Sequence, residues 1–152
     1  MYDVVVIGAG PAGSSAAVFT ARAQLRTLVV DSNQSITRRA WVPNHLGFPE
    51  GISGPDLLDA GKAQAAKAGA EMLTAKVTGI RRVDDGLELT TEEGQTLQAR
   101  NVILCTGVNV SLAKQAGATV AEGKEPHIKE IVVVDAEGRT NVDGLWAAGA
   151  CA

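Results

Sequence analysis

The residues best suited to chemistry stand near the start of the chain. Three glycines follow the spacing G-x-G-x-x-G at Gly8, Gly10 and Gly13, and the acid Asp31 comes after them. Turns of this kind can present backbone N–H groups to a phosphate, because no side chain keeps the ligand away. A carboxylate such as that of Asp31 can accept hydrogen bonds from sugar hydroxyls. The pattern therefore predicts the binding of a phosphate-bearing nucleotide.

The segments around the glycines are those needed to position them. Residues 4–7 form a continuous apolar run, which is typical of a strand buried on both faces. Residues 14–23 are rich in alanine and predict a helix, and the apolar run 28–30 predicts a second strand that ends on Asp31. A strand, a glycine turn, a helix and a strand within about thirty residues indicate an adenine-dinucleotide site. In such a site the first glycine allows the tight turn, the second admits the pyrophosphate and the third lets the helix pack closely.

Composition places the chain among ordinary globular proteins. Its 152 residues are 45% hydrophobic and only 3% aromatic, so the predicted core consists mostly of Val, Leu, Ile and Ala. A net charge of −3 gives no reason to expect nucleic acid or an anionic membrane as a partner. No apolar run is long enough to cross a membrane, and the N-terminus lacks the basic segment of a secretion signal. The expected location is therefore the cytoplasm.

The rest of the chain predicts further strands. Ser53 begins a helix that Gly69 ends, and the prolines and glycines of residues 41–49 indicate an irregular loop. The remaining predicted elements are three meander strands (73–83, 87–91, 96–99), a buried strand (101–105), a short helix (111–116), a polar loop (119–129) and a strand (131–134). The predicted fold class is α/β, a Rossmann-like parallel sheet with an antiparallel β-meander.

The loop at residues 41–49 contains Trp41, Asn44, His45 and Phe48. Beside a nucleotide site, these side chains could cover a flat ring system. The alternative is an ordinary structural loop whose aromatic residues close the edge of the core. We favour contact with a ligand because the dinucleotide unit lies upstream.

Taken together, these parts resemble the FAD domain of the thioredoxin reductase-like branch of the pyridine nucleotide-disulfide oxidoreductases. The resemblance rests on the glycine turn, the loop 44–49, the pair Lys76-Val77, the strand that ends in Thr106-Gly107 and the terminal strand 145–149. It implies an FAD cofactor, with the loop at the flavin ring and the backbone near Val77 at the adenine. The cofactor-binding residues that it implies are Gly8, Gly10, Pro11, Ala12, Gly13, Asp31, Ser32, Arg39, Asn44, Val77, Thr106, Gly107, Gly149 and Ala150.

The chain departs from that family in four places. The segment between Gly107 and Ile131 is too short to hold the second nucleotide domain of a full reductase, and the C-x-x-C pair of that domain is absent. The family's Gly-Asp is replaced by Gly149-Ala150, and the sequence stops at Ala152, where the family continues into a helix. We therefore expect one FAD-binding domain over residues 1–152 without a separate NADPH domain, which is either a short member of the family or a C-terminally incomplete piece of a longer product. Such a chain should not reduce thioredoxin with NADPH by itself.

The two cysteines, Cys105 and Cys151, fit neither a zinc spacing nor a C-x-x-C redox pair. The resemblance puts both near the flavin, where a thiol could exchange electrons with the ring. We favour the alternative, in which Cys105 is a small buried apolar residue and Cys151 lies in a frayed chain end. His45 and His127 have no sequence partner that would complete a metal site.

Two functions of different kinds follow from these observations. The favoured one is an FAD-dependent oxidoreductase that takes electrons from NAD(P)H or from a redox partner protein and passes them to an acceptor that the sequence does not identify. The other is a non-catalytic module that holds FAD or NAD and is completed by a partner chain. An NAD-dependent dehydrogenase shares the fold, but nothing downstream of Asp31 predicts a substrate domain. Either function is compatible with a homo-oligomer.

Overall fold

The structure is a computed structural model that describes all 152 residues. Its helices are α1 (Pro11–Arg22), α2 (Gly54–Lys67), α3 (Ser111–Gln115) and a short 3-10 helix at Ile36–Arg39. Its strands are β1 (Tyr2–Ile7), β2 (Thr27–Asp31), β3 (Trp41–Val42), β4 (Ile52–Ser53), β5 (Glu71–Thr74), β6 (Val77–Val83), β7 (Gly86–Thr91), β8 (Thr96–Leu104), β9 (Val120–Glu122), β10 (Glu130–Val132) and β11 (Leu145–Ala147).

The main sheet joins a parallel and an antiparallel part through one shared strand, β8. The parallel part has the order β5-β2-β1-β8-β11. The N-terminal half of β8 instead pairs antiparallel with β7, which in turn pairs with β6. This arrangement confirms the predicted α/β class with a parallel sheet and an antiparallel meander.

The core lies on both faces of the parallel sheet. Along β1, Val4 and Val6 belong to the cluster beneath α1 and α2, whereas Val5 and Ile7 belong to the larger cluster beneath the meander and α3. Successive strand residues point to opposite faces, so a strand that is covered on both sides must be apolar throughout. The continuous apolar run of β1 is explained in this way.

The two long helices begin and end at recognisable residues. Pro11 occupies the first turn of α1, where its missing N–H costs nothing. The Ser53 side chain caps α2 by accepting a hydrogen bond from the Asp56 backbone N–H at 3.2 Å. Gly69 adopts a left-handed φ of +106° just beyond the helix, as is common at helix C-termini.

Several predicted elements have different bounds in the structure. The predicted strand 73–83 is two strands, because the chain leaves the parallel edge strand β5 at Ala75-Lys76 and enters the meander as β6. Residues 96–99 and 101–104 form one continuous strand, β8, rather than two. The predicted polar loop 119–129 contains β9, which pairs with β10. The short helix α3 agrees with the prediction. The predicted loop 41–49 is irregular from residue 43 onward, but Trp41 and Val42 form β3, because they pair with β4 further along the chain.

Candidate functional site

A cleft of about 720 Å³ opens beyond the carboxyl ends of β1, β2 and β8. Open parallel sheets bind ligands at this end of their strands, and the volume falls in the range of small-molecule sites. Eleven residues predicted from the sequence line the cleft: Gly8, Gly10, Pro11, Ala12, Asp31, Ser32, Val77, Thr106, Gly107, Gly149 and Ala150. The fold therefore brings together residues from both ends of the chain.

Each of the three glycines of the turn has different surroundings, and these show whether the fold itself requires glycine there. Gly8 has a φ of +100°, and a Cβ there would overlap the carbonyl oxygen of Cys105. A Cβ on Gly13 would overlap the carbonyl oxygen of Gly8, so this glycine permits the close approach of α1 to β1 and lies behind the cleft. Gly10 differs from both, because a Cβ there would meet only the Ser35 hydroxyl oxygen, at 3.8 Å.

The N-terminus of α1 faces the cleft through Gly10, Pro11 and Ala12. No side chain caps this helix and no acidic residue occupies its first turn. The backbone N–H groups that start a helix have no partner within it, and together with the helix dipole they attract an anion. A phosphate group in the cleft would supply the hydrogen-bond acceptors and the negative charge that the chain itself does not provide at this helix end.

Asp31 ends β2 at the edge of the cleft, and its side chain already has two partners. One carboxylate oxygen accepts a hydrogen bond from the Ala9 backbone N–H at 3.1 Å. The other lies 2.6 Å from the ammonium of Lys62 on α2. A carboxylate offers about four acceptor positions, so Asp31 keeps capacity for the hydroxyls of a ribose.

The opposite wall is formed by the start of the meander and the loop after β8. The Gln115 side chain on α3 donates to the Thr78 carbonyl oxygen at 3.2 Å and ties these two parts together. In the loop, the Thr106 hydroxyl donates to the Asn109 carbonyl oxygen at 2.5 Å. These bonds give the wall a fixed shape around Val77 and Gly107.

The C-terminal segment closes the cleft beside the glycine turn. Gly149 adopts a φ of +85°, and a Cβ there would lie 2.7 Å from the Cβ of Ala12. Ala150 lines the cleft as well and is exposed. Its methyl group offers no hydrogen-bond acceptor at this place.

Besides Gly13, the predicted residues Arg39 and Asn44 do not line the cleft. Arg39 ends the short 3-10 helix, and Asn44 lies in the loop that follows β3. The aromatic residues of that loop also stay outside: Trp41 packs on Gly51, and the rings of His45 and Phe48 have centroids 6.1 Å apart. Contact between this loop and a ligand remains a prediction.

Sequence reasoning missed several polar residues of the cleft. Gln34 and Ser35 come from the loop after β2 and Thr37 from the 3-10 helix that follows it. Asn109, Ser111 and Gln115 come from the loop after β8 and from α3. The signal for the first three was available, because a polar stretch directly after a strand end lies at the binding edge of a parallel sheet. The other three depend on how α3 packs against β6, which local sequence does not specify.

Both cysteine thiols are buried, which agrees with the prediction for Cys105 and contradicts the prediction for Cys151. Cys105 lines the cleft as a small buried residue, in agreement with the favoured interpretation. Cys151 is fully buried, so its assignment to a frayed chain end is wrong. Its thiol contacts the carbonyl oxygen of Leu104 at 3.3 Å, and its own carbonyl oxygen accepts a hydrogen bond from Val132 at 2.7 Å. These bonds fix the C-terminal segment to the end of β8.

Burial, together with the nearby Cys151, raises the pKa of the Cys105 thiol to about 12. The thiol is therefore protonated at neutral pH and is a poor nucleophile.

Between the ordinary thiol pKa and about 12, the unfolded chain loses the Cys105 thiol proton while the folded chain keeps it. The free energy of unfolding should fall over this range, by at most about 1.4 kcal/mol per pH unit. Urea unfolding of the parent and of Cys105→Ala from pH 8 to 11 measures the effect. An identical alkaline loss in both proteins would contradict it.

Other kinds of site find no support in the described chain. No three His, Cys, Asp or Glu side chains converge as metal ligands would. None of the helices combines the length and the apolar character needed to cross a bilayer.

Comparison with known proteins identifies the family. The profile of the pyridine nucleotide-disulphide oxidoreductases matches residues 2–51 and 52–152. The chain belongs to this family. The predicted resemblance to this family is thereby confirmed.

Similar curated proteins include thioredoxin reductases. A bifunctional thioredoxin reductase/thioredoxin from Mycobacterium leprae is 42% identical over 113 residues, which make up 72% of this chain and 25% of that protein. The thioredoxin reductase of Streptomyces clavuligerus is 39% identical over 109 residues, or 69% of this chain and 34% of that protein. The chain thus spans about a quarter to a third of the length of these relatives.

Solved structures agree with this assignment. A thioredoxin reductase from Gloeobacter violaceus superposes with a TM-score of 0.63 at 34% identity, covering 70% of this chain and 34% of that one. An atypical thioredoxin reductase from Desulfovibrio vulgaris Hildenborough superposes with a TM-score of 0.79 over 99% of this chain and 90% of that one. At 23% identity, the second likeness shows the common fold alone.

Proposed function

We propose that this domain binds FAD and acts as a thioredoxin reductase-like oxidoreductase. The observation that carries the proposal is the open space at Gly10. Its φ of −68° suits any residue, and a Cβ would meet no protein atom closer than 3.8 Å. The protein's own structure therefore does not require glycine there, whereas a pyrophosphate passing over the turn does.

The residues around the cleft fit the two halves of the dinucleotide. Asp31 and Ser32 would hold the adenosine ribose, and the backbone near Val77 would hold the adenine. The N-terminus of α1 would hold the pyrophosphate through its free N–H groups. Thr106, Gly107, Gly149 and Ala150 would line the remainder, towards the flavin. When bound, the flavin supplies the electron-transfer chemistry, and the chain's residues orient it and limit its contact with water.

The electron donor that we propose is NAD(P)H or a redox partner protein. Cys105 lines the cleft, but burial raises the pKa of its thiol, so we assign it no role in passing electrons onward. A second candidate function, a module that holds FAD without turnover, is favoured by the exposed Ala150, whose side chain offers the flavin no hydrogen bond. Both candidate functions use FAD, and they differ in whether a physiological donor reduces it.

The test begins with the nucleotide-free protein and a fluorescence titration with FAD. Saturable binding at one FAD per chain is the expected result, and no binding would overturn the proposal. The loaded protein is then mixed with NADH or NADPH without oxygen, and the flavin absorption band is followed. Bleaching by either nucleotide supports the oxidoreductase with NAD(P)H as its donor, whereas a band that only dithionite bleaches supports either the module or an oxidoreductase that a partner protein reduces. A parallel FMN titration shows how much of the affinity depends on the adenosine half.

A further inference from the structure

We infer that Lys62 is a positioning residue for the adenosine half of the cofactor. It lies on α2, outside the glycine motif, and does not line the cleft. Its role would be to hold Asp31 and the loop after β2 in the arrangement that receives a ribose. The inference rests on the proposed function, since it concerns the same cleft.

The Lys62 ammonium makes two close contacts on the cleft wall. Its nitrogen lies 2.6 Å from a carboxylate oxygen of Asp31 and 2.5 Å from the side-chain oxygen of Asn33. The Asp31 and Lys62 side chains are only 12% and 23% exposed. Solvent and salt therefore screen this pair less than a pair on the open surface.

The close packing of α2 against α1 explains how Lys62 reaches this place. A Cβ on Gly61 would lie 3.0 Å from the Ser14 side chain, so a larger residue there would require Ser14 or the helices to shift by a few tenths of an ångström. The Ser14 hydroxyl in turn donates to the Ala9 carbonyl oxygen at 3.2 Å. Lys62 follows Gly61 directly and is thus held close to the end of β2.

The contacts of Lys62 connect α2 to two parts of the cleft. Through Asp31, whose second oxygen accepts from the Ala9 N–H, they reach the glycine turn. Through Asn33, which has a left-handed φ of +58°, they reach the loop that carries Ser32, Gln34 and Ser35 into the cleft. The Lys62 ammonium group thereby orients Asp31 and also holds the loop after β2 in place.

Lys62 also offsets the charge of Asp31 beside an anionic ligand. A carboxylate near a pyrophosphate would repel it, and a partly buried repulsion of this kind is poorly screened. With the ammonium at 2.6 Å, Asp31 can accept hydrogen bonds from ribose hydroxyls while adding little net negative charge to the site.

The test is a set of FAD titrations on the full chain. Lys62→Met should raise the Kd for FAD by about tenfold, and Lys62→Arg, which keeps the charge, should recover most of the affinity. Lys67→Met is the matched control, because Lys67 is exposed in the last turn of the same helix. In an Asp31→Asn background, Lys62→Met should add at most a twofold further loss, since the two residues act through one contact.

The outcomes separate this inference from the proposed function. If the parent chain binds no FAD, the proposed function is overturned. If the parent binds FAD and Lys62→Met binds it as tightly as Lys67→Met does, the positioning role alone is overturned. Equal losses with and without the Asp31→Asn change would also overturn it, since they would show a general structural defect. Thermal unfolding of each cofactor-free variant is measured alongside, and Lys62→Gln replaces Lys62→Met if that variant is unfolded.

Discussion

Gly10→Ala should lower the affinity for FAD by about a hundredfold and leave the fold intact. The added methyl group enters the space over the helix N-terminus, where it would meet no protein atom closer than 3.8 Å. A bound pyrophosphate would have to move away from the N–H groups, and overpacking of this kind costs about 1–3 kcal/mol before any hydrogen bond is lost. Each 1.4 kcal/mol corresponds to a factor of ten in Kd.

The measurement combines an FAD titration with thermal unfolding of the cofactor-free protein. Gly10 is the N-cap of α1, and alanine is a poorer N-cap, so the free energy of unfolding should change by no more than about 1 kcal/mol. A variant that unfolds at the parent's temperature and binds FAD as well as the parent does would show that no ligand passes over Gly10.

Gly13→Ala should have the opposite character, a severe loss of stability. Its Cβ would overlap the Gly8 carbonyl oxygen and would lie 3.2 Å from the Cys105 side chain. Backbone cannot move aside as a flexible side chain can, so α1 would have to shift away from β1. We expect a loss of about 3 kcal/mol or more, which lowers the unfolding midpoint by roughly 10 °C in a chain of this size.

Circular dichroism during thermal unfolding checks this expectation. Gly10→Ala serves as the control, because it makes the same chemical change three residues earlier in the same motif. Equal midpoints for the two variants would mean that the close contact between Gly13 and Gly8 relaxes at little cost. The pair of variants thus separates a glycine required by the fold from one required by the ligand.

The parts of the fold that follow from local pattern could be predicted. Residues 2–31 form the expected strand, turn, helix and strand, because the apolar run, the three glycines and the alanine-rich segment each favour one local structure. The helix from Ser53 was equally clear, since its cap, its proline and its terminal glycine agree. Thr106, Gly107, Gly149 and Ala150 reach the same cleft through the pairing of β8 with β1 and β11. They were expected there from the family resemblance and not from local pattern.

The parts that depend on distant pairing could not be predicted. The apolar pattern of residues 96–104 does not show that β8 changes partners along its length. The strand β9 is short and largely exposed, and only its pairing with β10 defines it. Lys62 is one of several lysines in the sequence, and its importance appears only once α2 is packed beside β2. Cys151 seemed peripheral because it stands next to the last residue, yet the core encloses it.

The central place of β8 has a consequence for the order in which the protein folds. Tyr2 pairs with Ala99, and the Asn101 side chain donates to the Asp3 carbonyl oxygen across 98 residues of sequence. The glycine turn itself rests on the carbonyl oxygen of Cys105. Contacts between such distant parts of a chain form late, and they lower the folding rate. During synthesis the pairing of β1 is therefore incomplete until β8 has been made. Until then the apolar residues of β1 are accessible to chaperones and to incorrect association.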